Sequence, residues 1–105
     1  MTATSPTQRS LKVLRERGYT CAIVEHWNPH RGIRQDLFGF LDILCLRDGE
    51  TLGVQTTTTN VAERIRKITD SPLLPVVRAA GWGVVVHGWR KNSAGKWVLR
   101  EEDLS

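Results

Sequence analysis

The sequence predicts an α/β fold, a three-layer α/β/α sandwich around a central mixed β-sheet, with residues 1–105 forming one domain. Three observations predict it. Hydrophobic periodicity changes along the chain in the order helix, three strands, one or two helices, strand, strand. Asp48-Gly49 joins two apolar runs as a tight hairpin turn, supplying the positive φ values such a turn needs. The helical stretch between the third and fourth strands acts as a crossover, which makes those strands parallel and the sheet mixed. At this length one core buries roughly 60–70% of the unfolded surface without staples.

The first helix starts at Ser5-Pro6-Thr7-Gln8, with Ser5 as N-cap, Pro6 as first helical residue and Gln8 closing a capping box. It runs to about Arg17, with Leu11 and Leu14 on its apolar stripe and Gly18 as its C-terminal glycine. Tyr19 to Trp27 reads as a strand and Asn28 to Gln35 as an irregular loop. Phe38 to Leu46 reads as a central strand interrupted by one charge, Asp42. Its hairpin partner runs up to the threonines ending at Thr59. Asn60-Val61-Ala62-Glu63 has the pattern of a second capping box, opening a helix to about Thr69. Ser71-Pro72 begins another helix that ends before Gly81, although Pro75 leaves its first turn open. Trp82 to Lys91 is a strand, Asn92 to Gly95 a turn, and Lys96 to Arg100 a short last strand.

The hairpin carries the chemistry. With Asp48 and Gly49 as turn residues, Arg47 pairs with Glu50, Leu44 with Gly53 and Asp42 with Gln55, and directly opposed residues have Cβ atoms roughly 4.5–5.5 Å apart. Alternation adds Thr57 to the Gln55 face and sends Leu52 and Val54 to the other. A buried carboxylate requires a metal ion, a basic side chain or solvent. The plain alternative is that Asp42 pairs with an arginine and Gln55 satisfies a backbone group. Glu25 and Asp36, flanking the loop, are candidate accessory metal ligands. Arg31 and Arg34 in the loop, and Arg64 and Lys67 on the helix after the hairpin, are candidate phosphate contacts. His26 and His30 are four apart, but Pro29 between them argues against a helical metal site.

Fifteen Lys and Arg against eleven Asp and Glu give a net charge of +4 and favour anionic partners, nucleic acid first. Cys21 and Cys45 lie in apolar runs without CxxC spacing, which suits reduced core thiols in a cytoplasmic protein better than a disulfide or a zinc site. Residues 1–10 lack the apolar region of an export leader, and no apolar run approaches the roughly 18 residues of a membrane span. No phosphate-binding glycine loop, GxSxG or HExxH is present, so hydrolysis by this chain requires a metal.

The element order, the hairpin and the opening LKVLRERGYTCAIVE resemble, over most of the chain, the PD-(D/E)XK nuclease superfamily, including archaeal Holliday-junction resolvases and small phage-type relatives. That family's signature is an aspartate opening one strand, followed on the next by glutamate or glutamine, one residue, and lysine. Asp42 matches the aspartate and Gln55 the acid-or-amide position, while Thr57 falls where the lysine belongs. The resemblance implies a restriction-endonuclease-like core (αβββαβ) and Mg²⁺ or Mn²⁺ held by Asp42 and Gln55 with Glu25 or Asp36. It also implies DNA as partner, branched or junction DNA among the substrates, and a homodimer where paired strands are cut. Two departures stand out: Thr57 has no charge, and the first-helix glutamate of the resolvases has no counterpart among Thr7, Gln8 and Ser10. Either Arg64 or Lys67 replaces the lysine, making Asp42, Gln55, Thr57 and Lys67 the catalytic positions, or the chain binds nucleic acid without cutting. A third reading is a phage or prophage accessory protein dimerising through Trp89 and Trp97.

Overall fold

The computed structural model describes residues 5–105, so residues 1–4, part of the stretch read for an export leader, lie outside it. Helix α1, Pro6–Glu16, begins as expected: the Ser5 hydroxyl accepts the Gln8 N–H at 3.1 Å, and the chain leaves the helix through Gly18 at φ 92°. Three short strands follow, β1 (Thr20–Ile23), β2 (His26–Asn28) and β3 (Ile33–Gln35). Then come the hairpin β4 (Ile43–Arg47) and β5 (Glu50–Thr57), helices α2 (Val61–Thr69) and α3 (Leu74–Ala79), and strands β6 (Gly83–Lys91) and β7 (Trp97–Asp103).

The main sheet has the order β1-β4-β5-β6-β7. Only β5 and β6 run parallel, joined through α2 and α3 as the crossover argument requires. Leu11 and Leu14 of α1 bury one face of the sheet against Ile43, Cys45 and Val54. Ile68 of α2 and Leu74 and Val77 of α3 bury the other face against Phe40, Leu41, Val84 and Val86. This is an α/β fold with a mixed sheet and helices on both of its faces. No helix among the described residues is long and apolar enough to cross a membrane.

The hairpin register is the expected one, from Arg47↔Glu50 through Leu44↔Gly53 to Ile43↔Val54. Of the turn residues only Gly49 adopts positive φ, at 78°, which leaves the register unchanged. Four expectations need correction. The single strand Tyr19–Trp27 is broken, because after Ile23 the Val24 N–H turns to the Asp42 carbonyl at 2.8 Å and Glu25 leaves the sheet. The irregular loop Asn28–Gln35 is instead the outer half of a small hairpin, β2 against β3, with Trp27 opposite Arg34. Phe38 to Asp42 is not strand: Phe38 and Gly39 take φ 56° and 84°, and the loop closes through the Leu37 N–H bond to the Leu41 carbonyl at 2.9 Å. Positive φ at Phe38 is a strained conformation for a bulky side chain. Finally, Asn60 adopts φ 54° with no side-chain cap bond, and Glu63 pairs with Arg66 at 2.6 Å, so the second capping box does not form.

Candidate metal centre

The broken strand and the tight loop assemble the site. The Val24-to-Asp42 bond brings the chain beyond β1 alongside the residue before β4, and the Leu37–Leu41 closure folds Asp36 back over the same place. Glu25, Asp36 and Asp42 thereby offer carboxylate oxygens that all lie within 4.8 Å of one another. They line a cavity of about 700 Å³ together with Gln55, Thr56, Arg34, Arg64 and Lys67.

Asp42 is 4% exposed, and one of its oxygens, Oδ2, takes three bonds from β5. It accepts from Gln55 Nε2 at 2.7 Å, the Thr56 backbone N–H at 2.7 Å and the Thr56 hydroxyl at 3.2 Å. No arginine or lysine forms an ion pair with it among the described residues; the nearby Arg34 pairs with Glu25 at 3.2 Å. The plain alternative for Asp42 is therefore not what this chain builds.

A carboxylate only accepts, so the Gln55 amide nitrogen must face Asp42, and its carbonyl oxygen Oε1 is left buried without a partner among the described residues. A buried unpaired acceptor beside three carboxylates is a ready ligand for a cation. Burial, followed by a hydrogen bond and repulsion from Asp42 and the charge of Glu25, pushes the Asp36 carboxyl up to about 7, against a lowering effect of Gln55. Glu25 is also raised, by burial and then by Asp42, with Arg34 opposing. A divalent ion would displace the proton that Asp36 holds near neutrality.

Most of the expected site residues converge, with two exceptions. Thr57 lies on the Gln55 face but does not line the cavity: its hydroxyl donates to the Thr59 carbonyl at 2.6 Å and accepts the Thr59 N–H at 3.1 Å, so it serves the exit from β5. Its neighbour Thr56 reaches Asp42 instead, and also meets Thr7 of α1 at 3.0 Å between hydroxyls. Arg31 sits exposed at the tip of the small hairpin, away from the cavity. Arg34, Arg64 and Lys67 do line it. Thr7 and Gln8, at the positions where the resolvase glutamate was sought, line it as well. Nothing in the alternation of β5 pointed to Thr56, because Asp42 stands beyond the regular ladder and reaches the backbone of its partner strand.

Two other features resemble sites and are not. Ser10, His87 and Glu101 form a chain, with Ser10 Oγ 2.8 Å from His87 Nδ1 and His87 Nε2 2.9 Å from Glu101. Ser10 and His87 are fully buried, and the Ser10 hydroxyl also accepts Trp89 Nε1–H at 2.9 Å, so no substrate reaches it. The same bond holds Trp89 inside the chain, whereas Trp97 keeps 37% of its surface exposed with Arg9 stacked 3.6 Å over its ring. A second cavity, of about 720 Å³, carries Arg17, Arg47 and Arg78, but Glu101, Glu50 and the Leu104 carbonyl already engage them. Cys21 and Cys45 are free thiols directly opposite one another, with sulfurs 3.4 Å apart, and burial pushes the Cys45 thiol up.

Compared with known proteins, the chain matches no family model, no curated protein and no solved structure.

Proposed function

We propose that this chain is a metal-dependent phosphodiesterase of the PD-(D/E)XK endonuclease kind, acting on DNA. One observation carries the reading: three carboxylates within 4.8 Å of one another share a cavity with the unpartnered, buried Gln55 Oε1. All four oxygen ligands are hard, the chemistry that Mg²⁺ and Mn²⁺ take. Asp42, Asp36, Glu25 and Gln55 Oε1 would hold the ion. When bound, it supplies Lewis-acid polarisation of a phosphoryl oxygen and a lowered pKa for water.

The rest falls to the chain's own groups. Thr56 and the Gln55 amide nitrogen fix Asp42 Oδ2, so the carboxylate is oriented before any ligand arrives. Arg64 and Lys67, on the rim, supply the positive charge that Thr57 cannot, drawing a phosphate towards the acidic floor. Lys67 also lines the adjoining cavity beside Asp36, which favours it as the substitute for the missing strand lysine.

The rival reading is a nucleic-acid-binding module with a degenerate site, and the uncharged Thr57 favours it. A cleavage assay on branched, single-stranded and linear duplex DNA with Mg²⁺, Mn²⁺ or EDTA separates the two. The enzyme reading expects metal-dependent cutting of at least one form, lost in Asp42→Asn. Cutting of none, with binding intact, leaves the module.

A further inference from the structure

The lip of the acidic cavity carries an aromatic ring that the hydrolysis itself does not use. Trp27 on β2 is 60% exposed, and Ile23, which lines the same cavity, is 47% exposed. The cations Arg64 and Lys67 line the same cavity, and Arg34 lies opposite Trp27 on β3. Acidic floor, cationic rim and apolar lip thus border one opening. Two apolar side chains left in water beside a phosphate-binding rim ask for an occupant that is apolar on its faces and anionic along its backbone.

A nucleobase on its sugar–phosphate chain has that character, but only when unstacked. In a continuous duplex every base face is covered by its neighbours, so nothing is left to lie on an indole. We infer that Trp27 is a stacking platform for an unpaired base next to the phosphate at the carboxylates, and that the substrate is therefore single-stranded or locally unpaired DNA. This rests on the reading of the site as phosphate-binding, and it adds the substrate class. The small hairpin suits the role: β2 and β3 form their own two-stranded sheet, so Trp27 is presented outside the core.

The test is binding in EDTA, where the metal-dependent chemistry is silent, by fluorescence anisotropy of labelled oligodeoxythymidylate and of a blunt, fully paired linear duplex. Trp27→Ala is expected to weaken oligodeoxythymidylate binding about tenfold and duplex binding less than about twofold, as loss of one base–aromatic stack requires. Trp27→Phe, which keeps a ring, should retain most of the single-strand affinity, and the parent's tryptophan fluorescence should be quenched by oligodeoxythymidylate and not by the duplex. Equal loss on both probes, no loss on either, or a parent that binds neither overturns the inference. The hydrolytic reading fails separately, if Mg²⁺-dependent cutting survives in Asp42→Asn.

Discussion

Asp42 is held by what it accepts, and that decides how its substitutions behave. A free buried carboxylate could be removed at no cost to stability, which is what the sequence alone would suggest. Because Oδ2 takes three bonds from Gln55 and Thr56, Asp42→Ala instead leaves a buried amide and a backbone N–H unpaired, at a cost of about 1–3 kcal/mol. Asp42→Asn keeps an oxygen for those donors and offers an N–H2 to Asp36 and Glu25. Chemical denaturation at pH 8 without metal should rank Asn above parent and parent above Ala; Ala at or above the parent would show that the three bonds contribute nothing.

His87 makes the stability of the fold depend on pH. Burial, opposed by Glu101, holds it below its ordinary pKa, with Arg17 adding to the lowering. The unfolded chain then binds the proton first, so stability rises with pH and falls as pH drops below about 6.5. The fall in melting midpoint from pH 7.5 to 5.5 should be larger for the parent than for His87→Gln. An equal fall would remove His87 from the acid response.

Among the elements, the β4–β5 hairpin was legible because its register follows from a two-residue turn, and the observed pairing is the one counted outward from it as far as Ile43 and Val54; Asp42, expected directly opposite Gln55, lies beyond the ladder with its N–H on the Val54 carbonyl and meets Gln55 through side chains. The loop from Asp36 to Asp42 was not. Apolar residues at Phe38, Phe40 and Leu41 mimic a strand, and only Gly39 hinted that the backbone turns there. The consequence is large, since that turn returns Asp36 to Asp42. Gly53 supports the same loop from below: a Cβ there would lie 2.6 Å and 2.7 Å from the two methyls of buried Leu41. Gly53→Ala should therefore cost about 1–3 kcal/mol through overpacking and weaken metal binding along with stability. A neutral Gly53→Ala would mean that Leu41 can move without carrying the loop.

For the whole molecule, the two faces of the sheet and the parallel β5–β6 pair could be argued from element order, while the meeting of Glu25 with Asp36 could not, because it depends on where two irregular segments cross. Charge placement changes the salt prediction accordingly. Arg31 stands away from the cavity and Arg34 is paired with Glu25, so among the described residues Arg64 and Lys67 are the cations lining the cavity without an ion pair. Replacing both with alanine should flatten the slope of log affinity against log salt by about 1.4–1.8, whereas Arg31→Ala should leave it nearly unchanged. The reverse pattern would put the nucleic acid on the small hairpin's tip.

Glu25, Asp36, Asp42 and Gln55 are together proposed to hold one divalent cation. Calorimetric titration of Mn²⁺ at pH 8, with and without an oligodeoxynucleotide supplying phosphate, measures it directly. The arrangement predicts one Mn²⁺ per chain in the parent, tighter when the oligonucleotide is present, weaker at pH 6 where Asp36 holds its proton, and absent in Asp42→Asn. No binding by the parent even with the oligonucleotide, or undiminished binding in Asp42→Asn, would contradict it.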